Sequence, residues 1–250
     1  MKNGIFDQVG PSARNWIELW NGSHPLWLND RHLETRCRIV TDDILRLVSA
    51  RTNPVILDYG CGEAIEAHRL AAISRELFLY DAPPEIFERV RKRFAGAKNV
   101  RVVDSDQVAA LASRSIDVII LSSVIQYLTE AQFESLLVRL FAMLRDDGEI
   151  LIGDVIVPGA DSLNYAWTLV RDGVKYGYFW AAIRCLLTLP FSHYWRLKRV
   201  LKYTYYTEEN LRSLLKKRGF DVERLPFNIG GNQGRLTFRA WKASRPFNRR

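Results

Sequence analysis

The apolar positions of this chain switch repeatedly between two spacings, and the switches mark out its elements. "VILDYG" (55–60) is a run of branched apolar residues closed by a glycine, which predicts a strand; "EAIEAHRLAAIS" (63–74) has helical spacing. "ELFLYDA" (76–82) predicts a second strand, and "PPEIFERVRKRF" (83–94) a helix opened by proline. "NVRVVDS" (99–105) is a third strand with a short helical piece near "DQVAALA" (106–112). "IDVIILSS" (116–123) is a fourth strand. "TEAQFESLLVRLFAMLR" (129–145) is a helix in which Thr129 and Gln132 have the spacing of a capping box. "DDG" ends that helix, and "EILIGDVIV" (149–157) is a fifth strand. Upstream, "TRCRIVTDDILRLVSA" (35–50) has helical spacing at Ile39, Val40, Ile44, Leu45 and Val48.

Strands alternating with helices predict an α/β fold with a doubly wound, mostly parallel sheet. The strands are nearly continuous Val/Ile/Leu runs, which suits a sheet covered by helices on both faces. From 158 to 203 the alternation lapses into an aromatic and basic insertion. It resumes with "TEENLRSLLKKRGF" (207–220), a helix capped by Thr207 and stopped at Gly219, then "DVERLPF" and "RLTFRAWK" as two strands around "NIGGNQG". The expected organisation is an N-terminal helical cap (1–50), an α/β core (51–157), a helical insertion forming a lid (158–206), and a C-terminal helix and strand pair (207–250) completing the same sheet. No internal repeat or low-complexity segment is evident.

The 250 residues, 48% hydrophobic and 26% charged, describe a globular chain able to bury its own core. The net charge of +8 is unevenly spread: residues 1–150 hold 18 Lys+Arg against 21 Asp+Glu, residues 151–250 hold 18 against 7. An anionic partner or substrate is therefore sought in the C-terminal part. Three well-separated cysteines without a CxxC suggest neither a disulfide framework nor a zinc site, and no metal is expected. The start of the chain lacks the apolar run of a signal peptide, so a cytoplasmic location is expected. "GYFWAAIRCLLTL" (177–189) is too short to span a bilayer and carries Arg184.

The turn after the first strand holds the candidate chemistry. In open parallel sheets, ligands bind beyond the carboxyl ends of the strands. Gly60 and Gly62 leave the backbone bare there, but the third glycine of a dinucleotide fingerprint is absent, as is a phosphate loop. What stands instead is acid-x-Gly-x-Gly: Asp58, Gly60, Gly62, then Ala64. With "LDYGCGEA", "FLYDAP", "VVDSDQV", "DVIILSSVIQYL" and "LRDDGEILIGDVI" in this order, residues 54–157 resemble the class I S-adenosylmethionine-dependent methyltransferases. The one departure is Ala64, where many members have glycine; a small effect on the turn is expected.

The resemblance implies strand order 3-2-1-4-5-7-6 with an antiparallel final hairpin, and S-adenosylmethionine as cofactor. It implies that Asp58 meets the amino-acid end of that cofactor and that Gly60 and Gly62 admit it. Asp81 would accept from the ribose hydroxyls. Asp106, with Asp104 as rival, would accept from the adenine amine, and Gln107 or Val108 would lie beside the ring. Ser122 and Ser123 would edge the cofactor. Each also has a purely structural reading: Asp58 as a strand end and helix cap, Asp81 as a turn former, Asp106 as a helix N-cap, the serines as partners of strand-end backbone.

The catalytic base is open, with His24, Tyr127, Asp154 and His193 as candidates; an alcohol or phenol acceptor needs one within reach. "SSVIQYL" after the fourth strand lacks the [DNS]PP[YFW] pattern of DNA amino-group methylation, so DNA is not an expected substrate. The favoured reading is methyl transfer to oxygen or carbon of a small or lipid-like acceptor. The alternatives are an RNA methyltransferase using the basic C-terminal part, and an inactive cofactor-binding partner protein. Residues 165–203 read as a packed cap, as an amphipathic lid in peripheral contact with an anionic membrane, or as a nucleic-acid contact. "NIGGNQG" reads as a connecting loop or as a polar substrate contact.

Overall fold

The computed structural model describes residues 16, 17, 20, 28–159, 162–188 and 203–243. Its strands are β1 (Val55–Tyr59), β2 (Glu76–Tyr80), β3 (Val100–Val102), β4 (Ile116–Ser122), β5 (Leu144–Val155), β6 (Phe220–Arg224) and β7 (Leu236–Lys242). Its helices are α1 (Asp30–Val48), α2 (Ala67–Ile73), α3 (Pro84–Arg93), α4 (Ser105–Ala109), α5 (Glu130–Met143), α6 (Ser162–Tyr176), α7 (Phe179–Thr188) and α8 (Glu208–Lys217).

The strands form one seven-stranded sheet in the order β3-β2-β1-β4-β5-β7-β6. β1 to β5 pair in parallel, and β7 runs antiparallel to both β5 and β6. Successive side chains alternate between faces. Val55, Leu57 and Tyr59 of β1 enter one core with Phe133, Leu136 and Leu140 of α5 and Leu211 and Leu215 of α8. Ile56 enters the other with Ile44 and Val48 of α1, Leu70 of α2, and Ile86 and Val90 of α3. This three-layer arrangement is why β1 and β4 needed apolar residues at consecutive positions.

Local signals set most boundaries. The Thr129 hydroxyl accepts from the Gln132 N–H at 3.3 Å, and Gln132 Oε1 accepts from the Thr129 N–H at 2.8 Å. Some boundaries differ from the sequence expectation. α1 begins at Asp30 rather than 35, because the Asn29 side chain caps it by accepting from the His32 N–H at 2.9 Å. α2 starts only at Ala67, since 61–66 turn around the carboxyl end of β1. After α5 the chain passes straight into an extended conformation, where Leu144 pairs with Ile116 before the register shifts.

The insertion contributes α6 and α7, joined through Gly177 and Tyr178, whose N–H groups both donate to the Gly173 carbonyl. Leu169, Tyr178 and Ala182 are buried there, with Leu28 packed beside them. His32 of α1 meets Tyr178 edge-on at 5.0 Å. Beyond the insertion the chain returns over the turn after β4: Thr204 donates its N–H to Gln126 O at 2.9 Å and its hydroxyl to Leu128 O at 2.6 Å.

Candidate active site

β1 lies inside the sheet, between β2 and β4, and a cavity of about 260 Å³ opens beyond the carboxyl ends of these three strands. This is the crevice in which open α/β sheets take ligands. Asp58, Gly60, Gly62, Asp81, Ser122, Ser123 and Tyr127 all line it.

The glycine turn is held from below. The N–H groups of Gly60 and Cys61 donate to the Tyr80 carbonyl at 2.7 and 3.0 Å. Gly60 has φ +93°, and a Cβ there would lie 2.3 Å from Val124 Cγ2. Gly62 has φ +56°, and a Cβ there would meet nothing within 4 Å. The first glycine is thus demanded by packing, while the second borders open space. Ala64 also adopts a left-handed conformation, φ +47°. The expectation of a small effect at Ala64 takes a definite form: an L-residue occupies a backbone state that costs roughly 1–2 kcal/mol outside glycine.

Asp81 is tied to this turn. Its Oδ2 accepts from the Gly62 N–H at 2.7 Å and its Oδ1 from the Ala82 N–H at 2.8 Å. A carboxylate offers about four acceptor positions, so further donors can still be met. Burial raises Asp81 to about 6, against the lowering by these two N–H groups. Burial also lifts Asp58 to about 7, and the charge of Asp81 adds to the effect. Among the described residues, the Asp58 carboxylate makes no hydrogen bond or ion pair. Two acids therefore wall a cavity with their charge only partly answered, an arrangement that favours a cationic, hydroxyl-bearing ligand.

The remaining wall comes from residues that the sequence did not mark as site candidates. Arg36, Cys37, Val40, Thr41 and Ile44 recur on one face of α1, and Trp16, Ile17 and Trp20 add aromatic and apolar surface. Trp16 packs on Tyr127 at 4.5 Å and on Tyr203 at 4.7 Å, and Trp20 lies 6.2 Å from Tyr127. The i, i+4, i+8 spacing of Arg36, Val40 and Ile44 was the available signal. It was hidden because the same helix also feeds the core. Burial pushes the Cys37 thiol up to about 11 and raises Cys61 well above the usual thiol range, so neither supplies a thiolate.

Other candidates fall elsewhere. Asp106 and Gln107 are exposed and do not line the cavity. The cap of α4 is Asp104, not Asp106: its carboxylate accepts from the Gln107 N–H at 2.8 Å, and Gln107 Oε1 accepts from the Asp104 N–H at 3.0 Å. Val108 is buried in the core. Asp154 is buried behind the cavity wall. It accepts from the Ser123 hydroxyl at 2.5 Å and from Asn228 Nδ2 at 3.3 Å, and it pairs with Arg235. Burial works against the charge of Arg235, and Asp154, with Tyr127 and Tyr203, more than offsets it. His24 and His193 lie outside the described residues. Among the described residues, no group of three or more His, Cys, Asp or Glu is placed to hold a metal ion.

A methyltransferase-domain family model matches residues 30–225, and the chain belongs to that family. No curated protein matches the sequence. Solved structures share the fold. The 1,6-didemethyltoxoflavin-N1-methyltransferase of Burkholderia thailandensis, with S-adenosylhomocysteine bound, is 17% identical, covers 93% of this chain and 87% of its own, and gives a TM-score of 0.57. The N-methyltransferase NodS of Bradyrhizobium japonicum, also with S-adenosylhomocysteine, is 13% identical over 93% and 100%, TM-score 0.56. A SAM-dependent methyltransferase of Leishmania major is 12% identical over 96% and 86%, TM-score 0.62. At these identities the likeness is one of fold. Family and sheet order together make the chain a class I, S-adenosylmethionine-dependent methyltransferase.

Proposed function

We propose that the chain transfers the methyl group of S-adenosylmethionine to a small or lipid-like acceptor, at oxygen or carbon. The observation that carries this reading is a single cavity walled by two poorly compensated acids and a bare glycine turn, and by Trp16, Trp20 and Tyr127. The cofactor's ammonium suits Asp58, and its ribose hydroxyls suit the free lone pairs of Asp81. The open space at Gly62 admits the ligand against the backbone. Pro83 and Ile86, also on the wall, offer apolar contact to a purine. Asp106 and Gln107 would be reached only by a group extending past the cavity.

The sulfonium supplies an activated methyl group. What the protein contributes is close, in-line placement of the acceptor. The aromatic wall would seat an apolar or planar acceptor, with the Tyr127 ring against it. Asp154 has its oxygens occupied by Ser123, Asn228 and Arg235, so its role is to position Ser123 and the turn after β4. The neighbours from Burkholderia and Bradyrhizobium are N-methyltransferases by name. The accepting atom is therefore to be identified directly.

The test is incubation of the purified chain with methyl-labelled S-adenosylmethionine and fractionated cell extract. Label is expected in the small-molecule or lipid fraction, and NMR of the product identifies the atom. Label confined to RNA or to protein would overturn the acceptor class while leaving the enzyme class intact.

A further inference from the structure

The helical hairpin of α6 and α7 repeats a short pattern that the sequence reading passed over. Trp167, Val170, Arg171 and Val174 recur thirteen residues on as Trp180, Ile183, Arg184 and Leu187. Both runs keep the same phase of burial. Trp167, Val174, Trp180 and Leu187 are 68%, 67%, 80% and 71% exposed, while Leu169 and Ala182, again thirteen apart, are buried in the seam. Exposed apolar residues are ordinary when scattered singly, but here two i, i+7 stripes lie side by side on paired helices. The helices approach closely at Gly173, where a Cβ would lie 3.0 Å from the Phe179 Cα.

The charges on this hairpin are one-sided. Arg171, Lys175 and Arg184 are exposed. Its single acid between 162 and 188, Asp172, is buried and faces Arg171 at 2.9 Å. Among the described residues, Lys175 and Arg184 make no ion pair. A protein partner would typically answer such a face with pockets for its tryptophans, whereas two exposed tryptophans with flanking cations suit the interface of a bilayer with anionic headgroups. Among the described residues, no helix is long and apolar enough to cross a membrane.

We propose that this hairpin docks the protein onto anionic lipid surfaces: Trp167, Trp180, Val174 and Leu187 enter the headgroup boundary, and Lys175 and Arg184 meet the lipid phosphates. The proposal does not depend on which acceptor is methylated.

Sedimentation of the full chain with vesicles tests it. Binding to phosphatidylcholine–phosphatidylglycerol vesicles is expected to exceed binding to pure phosphatidylcholine by about tenfold or more, and to weaken with salt. The double substitution Trp167→Ala/Trp180→Ala should reduce partitioning about tenfold or more. Lys175→Glu/Arg184→Glu should abolish the preference for anionic lipid. Both variants should keep wild-type affinity for S-adenosylhomocysteine, which separates loss of docking from loss of fold or of the cofactor site. Absence of vesicle binding, equal binding to both vesicle types, or wild-type binding by the variants would overturn the proposal. So would competition for this face by RNA at lower concentration than by vesicles.

Discussion

Two glycine-rich loops stand near acids in this chain, and they are put to opposite uses. "YGCGEA" follows β1 and borders a cavity: Asp58 has no hydrogen-bond or ion-pair partner among the described residues, and a Cβ at Gly62 would meet nothing. "NIGGNQG" precedes β7 and is filled. Asn228 is 1% exposed; its Oδ1 accepts from the Asp154 N–H at 3.1 Å and the Thr237 hydroxyl at 2.9 Å, and its Nδ2 donates to the Asn232 carbonyl at 2.9 Å. Gly230 takes φ +90° against Val40 and Arg36, donates its N–H to Asp43 at 3.0 Å, and accepts from Arg36. The second loop is a clamp that fastens α1 to the ends of β5 and β7. Unanswered polar groups mark the site, and answered ones mark the scaffold.

The largest expected effect breaks the clamp. Asp154→Ala leaves Arg235 with its cation uncompensated and should destabilise the fold by about 3–5 kcal/mol in urea titrations. Cofactor affinity of the remaining folded protein should fall less than it does for Asp58→Asn. The reverse ranking would mean that Asp154 belongs to the site. The two glycines of the open loop should separate next. Gly60→Ala must displace Val124 as well as bear a left-handed alanine, costing about 3 kcal/mol of stability. Gly62→Ala should cost only about 1 kcal/mol of stability, yet it should weaken S-adenosylhomocysteine binding in calorimetry if, as proposed, its methyl enters the ligand's space. Equal stability costs would deny the packing difference between them.

Asp58→Asn removes charge without volume and should cost about 2 kcal/mol of cofactor affinity; unchanged calorimetric affinity would remove Asp58 from the ammonium contact. The pH dependence follows from the same residue. In the free protein, Asp58 at about 7 stands above its ordinary 3.8. Its contribution to stability is complete below 3.8 and is lost as pH rises through 7. In the proposed reading, cofactor binding needs the carboxylate and runs the other way. Affinity should fall by up to about tenfold per pH unit below 7, with proton release seen as buffer-dependent heats near neutrality. Asp81, at about 6, adds a second step of the same sign. His32 opposes them in stability: burial and Arg36 lower it to about 4, so its contribution is complete above 6.5 and lost as pH falls through 4. Asp58→Asn should erase the affinity step near 7. The smallest effect is Ala64→Gly, which relieves a left-handed alanine and should raise stability by about 0.5–1 kcal/mol in thermal melts. Destabilisation would mean that the methyl group of this buried alanine contributes more in packing than its backbone costs.

Much of the candidate site was legible because its parts are local. Asp58, Gly60 and Gly62 are neighbours in sequence, and Asp81 ends the next strand, so a strand-turn-helix reading was enough to gather them. Asp154 and Asn228 were equally visible as polar residues near strand ends. Their mutual hydrogen bonds span 74 residues and cancel the very polarity that made them candidates. Asp106 and Gln107 followed a strand at the expected distance, but a one-turn capping box engages Gln107. Trp16, Trp20 and Arg36 escaped because what qualifies them is the wall they share.

The sequence alone determined the order of strands and helices, the caps at Thr129 and Thr207, and the turn after β1, since these rest on side-chain period and on groups within a few residues. Only the tertiary structure decided which acids stay unanswered, which glycine loop is open, and which face of the 162–188 hairpin remains uncovered. Those outcomes depend on desolvation and on partners far along the chain, and no local pattern records either.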